Sequence, residues 1–274
     1  MGIEWTETPS RRMNVDGVAL EYACWGATPD AAPTLVLLHE GLGSVAQWKE
    51  VPQALAEATG YGVFAYSRAG YGRSDPVELP RPLDYMTREA EMTLGRVMDV
   101  AGIEQAVLLG HSDGATIATI YGGSISDMRV RGLILIAPHF FTETVGLQAI
   151  KAAGEAYATG DLRKKLSKYH ANVEVAFRGW HDAWTDPAFA RWNVADAIDH
   201  LRIPVLAIQG RDDPYGTLAQ IAEIDERIYA PLDRLILEGC GHAPHLEQPA
   251  QTLSEIGEFC ARLYRLEHQD VALG

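Results

Sequence analysis

Gly110-His111-Ser112-Asp113-Gly114 sets a serine between two glycines in the order G-x-S-x-G. An apolar run, Ala106–Gly110, precedes it, and a run of small residues with helical character, Ala115–Tyr121, follows. A nucleophilic serine needs this strand–turn–helix context. The tight turn pushes the hydroxyl into the open, and the glycines let the flanking backbones approach. The helix then aims its free N–H groups at the reacting oxygen.

A hydroxyl needs a base. The segment Gly241-His242-Ala243-Pro244-His245-Leu246-Glu247-Gln248-Pro249 reads G-H-x-P-x-x-E-x-P and follows the last apolar run. His242 then stands on a loop at the same sheet edge as Ser112. His245 competes for the role but sits further into the next helix start. As an H-x-x-H metal pair the two histidines lack a third ligand and H-E-x-x-H spacing, so neither metal nor cofactor is expected. The base in turn needs a carboxylate to fix its tautomer. In Gln209-Gly210-Arg211-Asp212-Asp213-Pro214, Asp213 is favoured, and Asp212 is read as facing solvent or bonding local backbone. The chain order Ser112, Asp213, His242 is the one this arrangement takes on an α/β sheet.

A developing oxyanion needs donors. One is the backbone N–H of Asp113. The other comes from the turn His39-Glu40-Gly41-Leu42-Gly43-Ser44, with Gly41 preferred and Leu42 the alternative. That turn also mimics the dinucleotide fingerprint G-x-G-x-x-A. The fingerprint requires an acid at the end of the next strand, where the chain reads Ala65-Tyr66-Ser67-Arg68.

These residues must be held by a sheet. Thr34–His39, Gly62–Ser67, Ala106–His111, Arg131–Ala137, Pro204–Gln209 and Arg234–Glu238 are apolar runs without polar alternation, as parallel strands covered on both faces should be. Val18–Trp25 alternates and reads as an antiparallel edge strand. Helical spacing over Ala46–Ala58, Tyr85–Ala101 and Leu253–Leu266 completes an α/β architecture with a mostly parallel central sheet of about eight strands. No strand signal occurs over residues 138–202. The patterns Val145–Tyr157, Leu162–His170, Val173–Thr185 and Pro187–Asn193 are helical, and Asp186-Pro187 makes a helix start. The expectation is a core of residues 1–137 and 203–274 with a helical cap of 138–202 between them. Trp180, Trp184 and Trp192 either line a pocket under this cap or glue its helices. His139, Phe140 and Phe141 follow a strand end and are expected at the pocket wall.

Composition narrows the partners. The chain has 274 residues and a formal net charge of −14, from 37 Asp and Glu against 23 Lys and Arg. Such a field repels phosphate backbones, so no nucleic acid is expected. No apolar run approaches the roughly eighteen residues of a membrane span. Three scattered cysteines suit a reducing compartment, the cytoplasm. A small molecule is the expected partner, with monomer and homodimer both open.

Taken together the sequence resembles the α/β-hydrolase fold superfamily, in its serine-hydrolase branch with a helical cap inserted after strand 6. The resemblance rests on His39–Ser44, Tyr66-Ser67-Arg68-Ala69-Gly70-Tyr71-Gly72-Arg73-Ser74, the elbow at Ser112, Gly210–Asp213 and Gly241–Pro249. It implies Ser112 as nucleophile, Asp213 as the triad acid and the Asp113 N–H in the oxyanion hole. Relatives that open epoxides or remove halogens carry Asp at the elbow, so Ser112 points to acyl transfer. The implied substrates are carboxylic esters, lactones or thioesters of a small, neutral or apolar molecule. A carbon–carbon bond hydrolase or lyase of the same fold, or a slow or non-catalytic receptor, is the alternative.

The sequence also departs from its relatives. Glu40 stands where many have glycine, Tyr66-Ser67-Arg68-Ala69 where many have Asp-x-Arg-Gly, and Asp113 where many have an uncharged residue. Two carboxylates facing an oxyanion would oppose catalysis; one like-charge contact at about 5 Å costs roughly 3 kcal/mol at an effective dielectric near 20. Glu40 and Asp113 are therefore expected to point away or be paired, Glu40 with Arg68, and to bias the pocket against anionic substrates.

Overall fold

The computed structural model describes residues 3–5 and 11–267. Eight strands form one sheet in the order β1-β2-β4-β3-β5-β6-β7-β8. They are β1 (Arg11–Val15), β2 (Val18–Gly26), β3 (Thr34–Leu38), β4 (Gly62–Tyr66), β5 (Ala106–His111), β6 (Val130–Ile136), β7 (Val205–Gly210) and β8 (Leu232–Leu237). The β1–β2 and β2–β4 pairs are antiparallel and all others parallel. Every residue of β3, β4, β5 and β7 is buried, which is why these strands read as unbroken apolar runs.

Val18–Gly26 is antiparallel as expected, but it is not the edge. β1 covers it, joined by the turn Asp16-Gly17, in which both residues have positive φ (50° and 92°). A two-residue hairpin of that hand favours Asp-Gly. β1 escapes the sequence reading because Arg-Arg-Met-Asn-Val shows only Met13 and Val15 to the core.

The expected helix Ala46–Ala58 divides into a 3-10 turn, Val45–Trp48, and a helix, Val51–Thr59. Lys49, at φ 53°, breaks it, and Pro52 is tolerated because it falls in the first helical turn. Tyr85–Arg88, Glu89–Leu94 and Gly95–Ala101 run on as helix, the middle piece with π-type bonding. Between β6 and β7 lie the helices Thr144–Thr159, Leu162–Leu166 and Val173–Thr185 and the 3-10 turns Pro187–Arg191 and Ala195–His200. Asp186 caps the first of those turns, accepting from the Ala188 N–H at 2.7 Å. The helix Ala219–Arg227, absent from the sequence reading, shows only Ile221, Ile224 and Gln220 to the core. Among the described residues no helix is long and apolar enough to cross a membrane. The segments after β3, β5, β6, β7 and β8 all leave the C-terminal edge of the parallel strands, and that edge carries the site.

Candidate active site

Ser112 lies at φ 54° and ψ −119°, between the end of β5 and the helix Asp113–Ser124. Positive φ is strained for a residue with a side chain. The bend leaves room only for hydrogens on either side. A Cβ on Gly114 would come within 1.9 Å of the Leu38 carbonyl oxygen, and one on Gly110 within 2.2 Å of the Gly114 oxygen. Both glycines of G-x-S-x-G are thus required by backbone contact, and the helix starts directly behind the hydroxyl.

His242 follows β8. Its Nδ1 is 2.7 Å from Asp213 Oδ2, in the turn after β7. A carboxylate only accepts, so Nδ1 carries the proton and Nε2 is left with its lone pair. Asp213 accepts as well from Gln209 Nε2 at 2.8 Å and from the Tyr215 N–H at 2.8 Å. Burial opposes its charge, but the hydrogen bond and charge of His242 and the Tyr215 N–H outweigh burial and hold the carboxyl below its usual range. Asp212 is exposed. His245 is buried against Trp48 and His111, with ring centroids 5.1 and 4.6 Å apart, and burial lowers its pKa. The Glu247 of the loop motif accepts from the N–H groups of Gly241 and Ala243, at 2.7 and 2.9 Å, gripping the backbone on both sides of His242.

The turn after β3 is held by a buried arginine. Arg68 donates from Nη1 to the His39 carbonyl at 2.5 Å and from Nη2 to the Glu40 carbonyl at 3.0 Å. His39 donates from Nδ1 to the Glu40 carbonyl and accepts at Nε2 from the Arg68 N–H, which fixes it as a neutral tautomer. The expected Arg68–Glu40 pairing is therefore corrected, because Arg68 binds the Glu40 backbone and not its carboxylate. The carboxylate folds over Gly43, where a Cβ would meet Oε2 at 2.3 Å, and Oε2 faces His111 Nδ1 at 3.6 Å. Burial works against that charge, yet the His111 ring holds Glu40 well below the carboxylate range. Asp113 is paired differently. The Tyr85 hydroxyl donates to its Oδ2 at 2.5 Å, and Trp184 Nε1 donates to the Tyr85 oxygen at 2.9 Å. Burial raises the Asp113 carboxyl despite the opposing charge of Arg68 and the Tyr85 bond.

These elements enclose a cavity of about 250 Å³. Ser112, His242, Gly41, Asp113, Glu40, His139, Trp180 and Trp184 all line it, and Asp213 stands behind His242. Phe140 does not line it. It is fully buried in the core, and its N–H donates to Gln220 Oε1 at 2.8 Å. Its expected place at the wall is corrected: alternation after β6 sends His139 outward and Phe140 inward. The wall also includes Leu42, His111, Ile150, Tyr215 and Ala243. The Tyr215 ring lies 4.7 Å from the His242 ring at a tilt of 50° and could have been sought two residues past Asp213. Burial and the nearby His242 charge push the His139 imidazole down to about 3.

The profile of the alpha/beta hydrolase family matches residues 35–255, spanning every segment that builds the cavity. The chain belongs to the alpha/beta hydrolase family. Similar hydrolases of the family differ in reaction. A proline iminopeptidase of Lactobacillus delbrueckii subsp. bulgaricus is 25% identical over 264 residues, covering 82% of this chain and 88% of its own. A pimeloyl-[acyl-carrier protein] methyl ester esterase of Aeromonas hydrophila subsp. hydrophila is 27% identical over 253 residues, covering 83% and 95%. The crystal structure of a proline iminopeptidase from Mycobacterium smegmatis superposes with a TM-score of 0.72 at 19% identity, over 93% of this chain and 98% of that one. At that identity the superposition speaks to the alpha/beta hydrolase fold alone.

Proposed function

We propose that this protein is a serine hydrolase that cleaves a carboxylic ester, lactone or thioester of a small molecule through an acyl-enzyme on Ser112. The observation that carries the reading is the cavity wall shared by a strained Ser112 and a His242 whose Nδ1 is bonded to Asp213 at 2.7 Å. In this mechanism Nε2 of His242 takes the Ser112 proton as the hydroxyl oxygen attacks the acyl carbon. Asp213 stabilises the resulting imidazolium. The N–H groups of Asp113 and Gly41 receive the oxyanion, and the leaving group departs with the proton from His242. Water, deprotonated by the same nitrogen, then frees the acid. Residues 138–202 serve as the cap that roofs the cavity, and the site of action is the cytoplasm. The similarity to an esterase supports acyl transfer to water, and Ser112 at the elbow fits it.

A fluorophosphonate probe and short p-nitrophenyl esters test the proposal. Wild-type protein is labelled at Ser112 and hydrolyses the esters. Ser112→Ala and His242→Ala lose about 10⁴- to 10⁶-fold in kcat. Absence of labelling with absence of turnover would leave a binding protein instead.

A further inference from the structure

Of the two indoles in the cavity wall, Trp184 gives its N–H to Tyr85, which in turn gives its O–H to Asp113. Trp180 differs. It stands on the helix Val173–Thr185, is 7% exposed and lines the cavity. Among the described residues none accepts a hydrogen bond from its Nε1 N–H. Its position is defined by Gly41, whose missing side chain it replaces. A Cβ on Gly41 would lie 2.2 Å from Trp180 Nε1 and 2.3 Å from Cδ1. Phe177 meets the Trp180 ring edge-on, 6.1 Å between centroids. A donor is thus held against the turn that carries Gly41, in the cavity that Ser112 also lines.

We propose that the Trp180 N–H is a specificity-determining donor that binds a neutral hydrogen-bond-accepting oxygen of the substrate, an ether, hydroxyl or carbonyl oxygen carried close to the scissile carbonyl. The proposal rests on the serine-hydrolase reading and names its substrate class. An indole N–H only donates, so the ligand atom is an acceptor. The Glu40 carboxylate in the same wall disfavours an anionic acceptor, and among the described residues no Lys or Arg lines the cavity to offset it. The Trp180 N–H has no acceptor among the described residues, and a substrate oxygen beside it supplies one. A substrate lacking that oxygen forgoes the bond, and such a difference separates two substrates of the same shape.

The test uses an isosteric pair. In p-nitrophenyl methoxyacetate an ether oxygen replaces one methylene of p-nitrophenyl butyrate. Their intrinsic reactivities differ, but the difference cancels when wild type is divided by variant. Trp180→Phe lowers kcat/KM about tenfold more for the methoxyacetate than for the butyrate. Equal losses would reduce Trp180 to packing and overturn the proposal. A second arm needs no turnover for its readout. In ¹⁵N-tryptophan-labelled Ser112→Ala protein, saturating methyl methoxyacetate shifts one indole N–H proton downfield and methyl butyrate does not. Incorporating ¹⁵N-tryptophan alongside a Trp180→Phe spectrum assigns that signal. Equal shifts with both esters also overturn the proposal. If wild type cleaves no ester, the hydrolase reading fails and the indole shift alone decides this one.

Discussion

His111 Nε2 donates to the carbonyl oxygen of His242 at 2.8 Å. The residue immediately before the elbow serine thereby holds the backbone of the residue read as its base. From the other side Glu247 accepts the two N–H groups that flank His242. The backbone around His242 is gripped at donors and acceptor alike, so the distance of His242 from Ser112 is set by β5 and not left to a loop.

Replacing His111 tests that grip. His111→Phe keeps a ring between His242 and His245, whose centroids lie 4.9 and 4.6 Å away, and deletes the donor. The His242 carbonyl loses its partner, and a displaced base slows the chemical step more than binding. The expected result is a fall of about 10- to 100-fold in kcat for p-nitrophenyl acetate with little change in KM. Stability falls by about 1–3 kcal/mol in urea titration. An unchanged kcat would show that Glu247 suffices.

Acid lability follows from the buried histidines. His139 is held at about 3 by burial first and the His242 charge second, against an ordinary value of 6.5. Its folded pKa lies below the unfolded one, so the unfolded chain takes up the proton first. This contribution to stability is complete above about pH 6.5 and is lost as the pH falls toward 3, at about 1.4 kcal/mol per pH unit. Burial lowers His39, His170 and His245 as well. Urea unfolding at half-unit steps from pH 7 to 4 should show a steep decline in wild type, and one proton less of slope in His139→Phe. Parallel curves would place the acid sensitivity elsewhere.

Charge in the wall sets a second expectation. The Glu40 side chain is 27% exposed, and the His111 ring keeps it ionised. Mono-p-nitrophenyl glutarate should be turned over at least about tenfold more slowly than p-nitrophenyl valerate, since one like-charge contact at about 5 Å amounts to roughly 3 kcal/mol before screening. Glu40→Gln should narrow the gap. Faster cleavage of the glutarate, after subtracting its spontaneous hydrolysis, would refute the assignment.

The central strands and the Ser112, Asp213 and His242 turns were legible because each depends on a few neighbouring residues. Doubly covered parallel strands must be apolar throughout, and a serine bend must be flanked by glycines. What was illegible depends on partners far along the chain. The backbone at Phe140, whose side chain lies in the core, is held by Gln220, 80 residues on, which takes its N–H. Arg68 reads from sequence as a charge for Glu40, yet only the fold shows it crossing to two carbonyls of the turn. β1 was hidden by its arginines, although the Asp16-Gly17 turn before β2 was a readable hairpin signal.

The same distance effect makes Gly41 the most informative single position. Its role in the turn after β3 was read from sequence as a backbone donor, where many side chains would serve. In the structure a methyl group at Gly41 would collide with the Trp180 indole at 2.2 Å. Gly41→Ala must therefore displace either Trp180 or the turn, and the turn is fixed by Arg68 through two carbonyls. Trp180 should yield, opening the cavity and costing about 10²-fold in kcat/KM. Trp180→Ala removes the obstacle, so adding it to Gly41→Ala should cost far less than the two separate losses combined, a coupling of about 1–3 kcal/mol in a double-mutant cycle. Strictly additive losses would mean that the two side-chain positions do not compete for space.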